Sequence, residues 1–222
     1  IERTVGVQAA DIERLEAPVY PDRAHGRLDA LGHPELMYVD LAADALSEPP
    51  DELLETMAGA EGVVLDMRGY PGRHSWTVAR HVLADGSPGP QMRQVHRTVL
   101  DAEAVVVPQV TPPSAGAYEG SVVVLVGPQT QSQAEHLVLT LQAADRAQVV
   151  GRPSAGANGN ITSVALPGAI AQAFTGMVVL QPDESVFHGV GVYVDELVQL
   201  DPEELALGTD PELAAAIEVL GR

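Results

Sequence analysis

"SVVVLVGPQTQSQAEHLVLTLQAADRA" occupies residues 121–147, and its reading decides the fold. Residues 121–127 are a continuous apolar run, which suits a strand buried on both faces. A helix is predicted over about 131–144. Between the two lies a polar cluster, Thr130 to His136. Ser132-Gln133-Ala134-Glu135 fits the S-x-x-E capping box, and Thr130-Gln131-Ser132-Gln133 fits T-x-x-Q equally well. Capping alone accounts for the serine. A side chain at the first turn of a helix also gains from the positive end of the helix dipole, and free N–H groups there can hold a developing oxyanion. The two readings are compatible, because Thr130 can cap while Ser132 reacts.

Outward from this stretch the same alternation continues. "ELMYVDL" (35–41) and "GVVLDM" (62–67) read as strands, "PPDELLETMAGA" (49–60) as a helix opened by its proline pair, and "SWTVARHVLA" (75–84) as a second helix. "QMRQVHRTVL" (91–100) alternates like a half-buried strand, and "AQVVG" (147–151) is another buried one. Strand and helix in turn predict a largely parallel sheet with helices on its faces. "ITSVALP", "AIAQAFTG" and "MVVLQP" then read as meander or hairpin strands, giving a β-rich C-terminal half. The chain closes on a helix over 210–222, with Asp210 as cap and Pro211 in its first position. One domain over 35–222 is the simplest division, with residues 1–34 as an N-terminal arm.

Composition narrows the chemistry. The chain has 222 residues, no Cys and a formal charge of −19, from 12 basic against 31 acidic residues. All the basic residues are Arg, so Walker-type phosphate loops, Schiff bases and Ser–Lys dyads are excluded. The absence of Cys excludes disulfides, thiolate metal sites and cysteine nucleophiles. The negative charge argues against nucleic acid or anionic membrane as partner. No apolar run approaches the length of a membrane helix. The carboxylates show no marked spacing and read as solubilising surface. No cofactor and no metal is implied; His74 and His81, seven apart on one predicted helix face, lack a third ligand.

Two further segments bear on Ser132. "GVVLDMRGYPG" (62–72) ends a buried strand in a turn at Arg68-Gly69, where a glycine lets a backbone N–H face a ligand. "GRPSAGANGN" (151–160) is a glycine-rich loop placed directly after a strand, suited to the wall of the same cleft. Parallel neighbours would bring these turns together at the carboxyl edge of the sheet. In order and spacing, "VVLDMRGYPG", "VVVLVGPQTQSQAEH", "VVGRPSAGANGN", "GVGVYVDELVQL" and "GTDPELAAAIEVL" resemble the S41 family of serine peptidases, which includes the C-terminal processing proteases and the tricorn core. The resemblance covers about 35–222. It implies a ClpP/crotonase-like α/β core, Ser132 as nucleophile, and the N–H groups of Gly69 and Gln133 as the oxyanion hole.

The departures from that family shape the expectation. Where the processing proteases carry a Lys base, this chain has Ala157, so the resemblance is to the tricorn-type branch, where a His activates the serine. The base is expected upstream of Ile1, beside a PDZ-like segment whose exit strand "RTVGVQ" resembles. Within the chain, His136 lies four residues after Ser132 on the same helix face, within reach of it, though it would approach from behind the attacking oxygen. His188 is a candidate cleft residue, His25 and His33 lie in the arm, and His96 reads as structural. The expected substrate is an unstructured peptide or chain terminus, added as a strand to a sheet edge; homo-oligomerisation is left open. The alternatives are a non-catalytic S41-like module binding a small hydrophobic ligand or peptide, and a crotonase-like acyl transfer.

Overall fold

The computed structural model describes Tyr20, residues 23–42, Leu46, and residues 48–94, 105–107, 117–201 and 207–222. The strands are β1 (Gly26–Leu28), β2 (His33–Asp40), β3 (Gly62–Asp66), β4 (Met92–Gln94), β5 (Val105–Val107), β6 (Ser121–Val126), β7 (Gln148–Gly151), β8 (Ile161–Leu166), β9 (Ile170–Thr175), β10 (Met177–Val179) and β11 (Glu196–Leu197). The helices are α1 (Asp51–Ala58), α2 (Ser75–His81), α3 (Gln133–Ala143) and α4 (Pro211–Leu220).

A six-stranded sheet of order β1-β2-β3-β6-β7-β11 forms the centre, parallel throughout except for the antiparallel β1. Its central strands are buried over most of their length because both faces are covered. Val63, Leu65, Val122 and Val124 pack under α1, α2 and α3, while Val64, Val123 and Leu125 point the other way, against Leu213 and Ala216 of α4. This is why strands of nearly unbroken valine and leucine replace the alternating pattern of a one-sided sheet. Helix α3 is buried over Leu137–Leu141 as well as at Ala134 and Glu135, so it has almost no solvent face. Helix α4 starts as its sequence predicts, with the Asp210 carboxylate accepting from Leu213 N–H at 3.0 Å and Pro211 following. Among the described residues no helix is long and apolar enough to cross a membrane.

Outside the central sheet, β10-β4-β5 forms a three-stranded antiparallel sheet and β8-β9 a separate hairpin; β8, β9 and β10 lie in the C-terminal half, while β4 and β5 come from before β6. Several expectations change in detail. The strand predicted over 91–100 is seen at Met92–Gln94, and residues 95–100, with His96, lie outside the described residues, as does "RTVGVQ". His74 is not on the face of α2: it holds the cap position before Ser75, while His81 ends the helix. Residues 26–28, within the segment read as an arm, pair with β2 at the sheet edge.

Candidate active site

Strands β3 and β6 lie side by side in register, with Asp66 opposite Leu125, so the turns leaving them are neighbours at the carboxyl edge. Thr130 fastens the two turns. Its hydroxyl donates to Met67 O at 2.7 Å and accepts from Gly127 N–H at 2.9 Å. Thr130 is therefore a buried clasp between the turns rather than the helix cap its T-x-x-Q spacing allows.

Ser132 holds the cap position of α3, but not as an ordinary cap. Its backbone lies at φ 55°, ψ −113°, in the left-handed half of conformational space, whereas a cap residue normally sits in the β region. Such a conformation costs about 1–3 kcal/mol and persists where surrounding contacts impose it. Those contacts are visible. Ser132 N–H donates to both Ala157 O and the Glu135 carboxylate, each at 3.0 Å, and Ser132 O accepts from His136 N–H at 2.9 Å. Both halves of the capping box are in place; the Glu135 half is a full hydrogen bond, and the serine half is looser, its hydroxyl making no cap hydrogen bond.

Glu135 is the hub of this arrangement. Fully buried, its carboxylate also accepts from Ser154 Oγ and Gly156 N–H at 2.6 Å each, and from Ala157 N–H at 3.0 Å. Four donors satisfy the buried charge and bind the glycine-rich loop to the first turn of α3. Within that loop Gly156, at φ +66°, runs backbone to backbone against Gly189; a Cβ there would lie 3.0 Å from Gly189.

Ser132 opens on a cleft of about 470 Å³. Tyr70, Trp76, Met92, Ile161 and Met177 give it apolar walls; Gln133, His136, Asn158 and Asn160 supply its polar groups. Among the described residues no Asp, Glu or Arg lines it. Gly69 directly precedes Tyr70 in the turn clasped by Thr130 and is half-buried. Its φ does not demand glycine. The constraint is space, since a Cβ would sit 3.2 Å from Ala42 Cβ. Neither Gly69 N–H nor Gln133 N–H donates to an acceptor among the described residues.

The histidines separate clearly. His136 lines the cleft, its ring 5.8 Å from that of Trp76, and burial lowers its pKa below the usual 6.5, which keeps it neutral near pH 7. His188 does not line the cleft: its Nε2 accepts from Val179 N–H at 3.1 Å. Nor do His25 and His33 approach it. His25 Nδ1 accepts from Asp40 N–H at the end of β2, and His33 pairs with Glu35 at 3.2 Å within β2.

The carboxylates do not all belong to the surface. Arg68, 6% exposed, bonds bidentately to Asp66 (2.5 and 3.0 Å) and to Asp210 (2.8 and 2.9 Å), and to Glu212 at 3.0 Å. Its guanidinium lies 3.7 Å from the centre of the Tyr20 ring. Arg152 also reaches Glu212 at 2.8 Å, and Tyr38 donates to Asp66 at 2.8 Å. Burial pulls the Arg68 pKa down, but the hydrogen bonds to Asp66 and Asp210 more than offset it and hold the charge above the usual arginine range. Burial, with the bond to Glu212, pushes the Tyr20 hydroxyl up to about 12. This cluster anchors the residue next to Gly69 to the start of α4. Sequence reading missed it, along with the cleft walls Tyr70, Trp76, Met92, Ile161 and Met177. Only the glycine-rich loop carried a signal for Asn158.

One consequence of the Ser132 backbone is measurable. Ser132→Gly relieves the strain, whereas Ser132→Ala retains it. The glycine variant is expected to be the more stable of the two by about 1 kcal/mol, a difference of roughly 2–4 °C in thermal unfolding. Equal melting points would show that the backbone there is unstrained.

Solved structures sharing this fold include a candidate peptidase from Parabacteroides merdae ATCC 43184, with 20% identity, a TM-score of 0.74, and coverage of 88% of this chain and 63% of that one. Mature CPAF complexed with lactacystin aligns at 14% identity and a TM-score of 0.63, over 83% of this chain and 50% of the other. The photosystem II D1 C-terminal processing protease aligns at 22% identity and a TM-score of 0.54, over 80% and 47%. The chain thus spans less than two thirds of the length of each. At these identities the likeness is one of fold. No match is found among curated protein sequences. Residues 40–198, which carry β3, the Gly69 turn, Ser132 and the whole cleft loop, match the sequence model of Peptidase family S41, and the chain belongs to that family.

Proposed function

We propose that this chain is the catalytic portion of a serine-type peptidase acting on unstructured polypeptides or chain termini. Ser132 Oγ attacks a backbone carbonyl and loses its proton to a histidine; the carbonyl oxygen, now anionic, is held by Gly69 and Gln133 N–H. The histidine passes the proton to the departing amine, leaving an acyl-serine. Water, deprotonated by the same base, then releases the acid and restores the hydroxyl. The observation that carries this reading is the positive φ of Ser132 at the first turn of α3, together with the N–H groups of Gly69 and Gln133, which have no acceptor among the described residues. Strained backbone at a non-glycine residue clusters at functional sites.

The proposed base is a histidine, because Ala157 stands where the Lys-dependent branch of the family carries its base and the resemblance is to the branch that uses His. We place it in polypeptide preceding Ile1, with His136 serving as a cleft wall against Trp76. His136→Gln in the natural full-length protein is accordingly expected to retain peptide hydrolysis within about tenfold, because general-base loss costs far more, roughly 10²–10⁴-fold or greater. A fall of that larger size would make His136 the base. The assay follows cleavage of a pool of short, uncharged synthetic peptides, chosen because no Asp, Glu or Arg among the described residues lines the cleft. Binding of the pool without any cleavage by the full-length protein would favour the non-catalytic module.

A further inference from the structure

Asn158 is 5% exposed, lines the Ser132 cleft, and its Nδ2 has no hydrogen-bond partner among the described residues. The orientation of its amide is fixed by its other end. Gly159, at φ +117°, turns its N–H back onto Asn158 Oδ1 at 2.7 Å. The reversed amide would set two donors against each other, so the NH₂ group is the end left unpaired, buried in a residue that lines the cleft. A buried donor left without an acceptor is costly, and native structures rarely retain one without a use. The neighbouring residue, Ala157, bonds directly to the strained serine through its carbonyl, which places the amide in the wall next to the proposed nucleophile.

We propose that Asn158 Nδ2 donates a hydrogen bond to a main-chain carbonyl oxygen of the bound polypeptide, and so sets its register across Ser132. This rests on the peptidase reading for the identity of the ligand. The acceptor is a neutral carbonyl rather than a carboxylate, because among the described residues the cleft offers no cation to balance a charge. Asn158 acts on ground-state binding and is separate from the pair of amides proposed for the oxyanion.

The test measures binding rather than turnover, so it is independent of whether hydrolysis occurs. In a Ser132→Ala background, the pool of uncharged peptides, C-terminally amidated and carrying a neutral dye, is titrated by fluorescence anisotropy. Asn158→Ala is expected to weaken binding about tenfold. Asn158→Asp keeps an oxygen for Gly159 N–H, and with it the loop, but removes the donor and adds repulsion toward a carbonyl; it is expected to bind at least as weakly as the alanine variant. A purely structural role predicts the reverse, with Asn158→Asp close to the parent. Parent-like affinity in both variants, or no binding of the pool by the Ser132→Ala parent, would overturn the assignment. Fluorophosphonate labelling of Ser132 in the Asn158 variants separates this outcome from failure of the nucleophile assignment.

Discussion

Ser132→Ala is expected to reduce peptide hydrolysis by the full-length protein roughly 10⁴–10⁶-fold, with little change in peptide affinity or in folding. Loss of a serine nucleophile has effects of this size because the remaining oxyanion donors and binding contacts supply only the residual rate. Folding should be nearly unaffected, because the hydroxyl makes no cap hydrogen bond while the backbone bonds to Ala157 and Glu135 survive the change. The separation of effects is the diagnostic part. If the serine were a helix cap alone, its alanine variant would lose about 1 kcal/mol of stability and no activity. Comparison of kcat with the affinity of the same peptides, alongside a thermal melt, distinguishes the two.

The second large effect concerns Arg68. Arg68→Met removes the cation that bonds Asp66, Asp210 and Glu212, leaving Arg152 to face the cluster from one side. Breaking a buried pair by deleting one partner costs about 3–5 kcal/mol, since the charges left behind are no longer compensated. For a chain of this size that corresponds to a melting point lower by about 10 °C. Activity is expected to fall further than stability explains, because Arg68 adjoins Gly69 and its own N–H is held by Asp66 Oδ1 at 3.0 Å. Chemical denaturation of the variant checks the first claim; a loss below about 1 kcal/mol would mean that the cluster is solvated and not structural. Combining Arg68→Met with Glu212→Gln should recover part of the loss.

Much of the fold could be read directly, for identifiable reasons. β3 and β6 are buried on both faces and therefore appear as unbroken apolar runs. Helix α4 announces its start with Asp210 and Pro211, both local signals. Ser132 and Glu135 stood out because a capping box is a spacing within one helical turn. What escaped reading was non-local. Arg68 and Asp210 are 142 positions apart, so nothing near either one marks the pair. Thr130 looked like a cap because its true partner, Met67 O, belongs to the turn leaving β3, far away in sequence. The left-handed backbone of Ser132 gave no local signal either, since its N–H is held by Ala157 O, 25 positions away in the glycine-rich loop, as well as by Glu135. The hairpin β8-β9 was legible as strands but not as a projecting element, with Ile161 77% and Phe174 49% exposed despite their apolar character. Burial of an apolar strand depends on what lies beside it, which one strand's sequence does not contain.

The most direct test is the site of covalent modification by a fluorophosphonate in the natural full-length protein, read by intact mass and by mapping of the modified peptide. A single adduct on the hydroxyl of residue 132, absent from Ser132→Ala, is the predicted result. A protein that hydrolyses peptides while carrying its adduct on another serine, or none at all, would contradict the account.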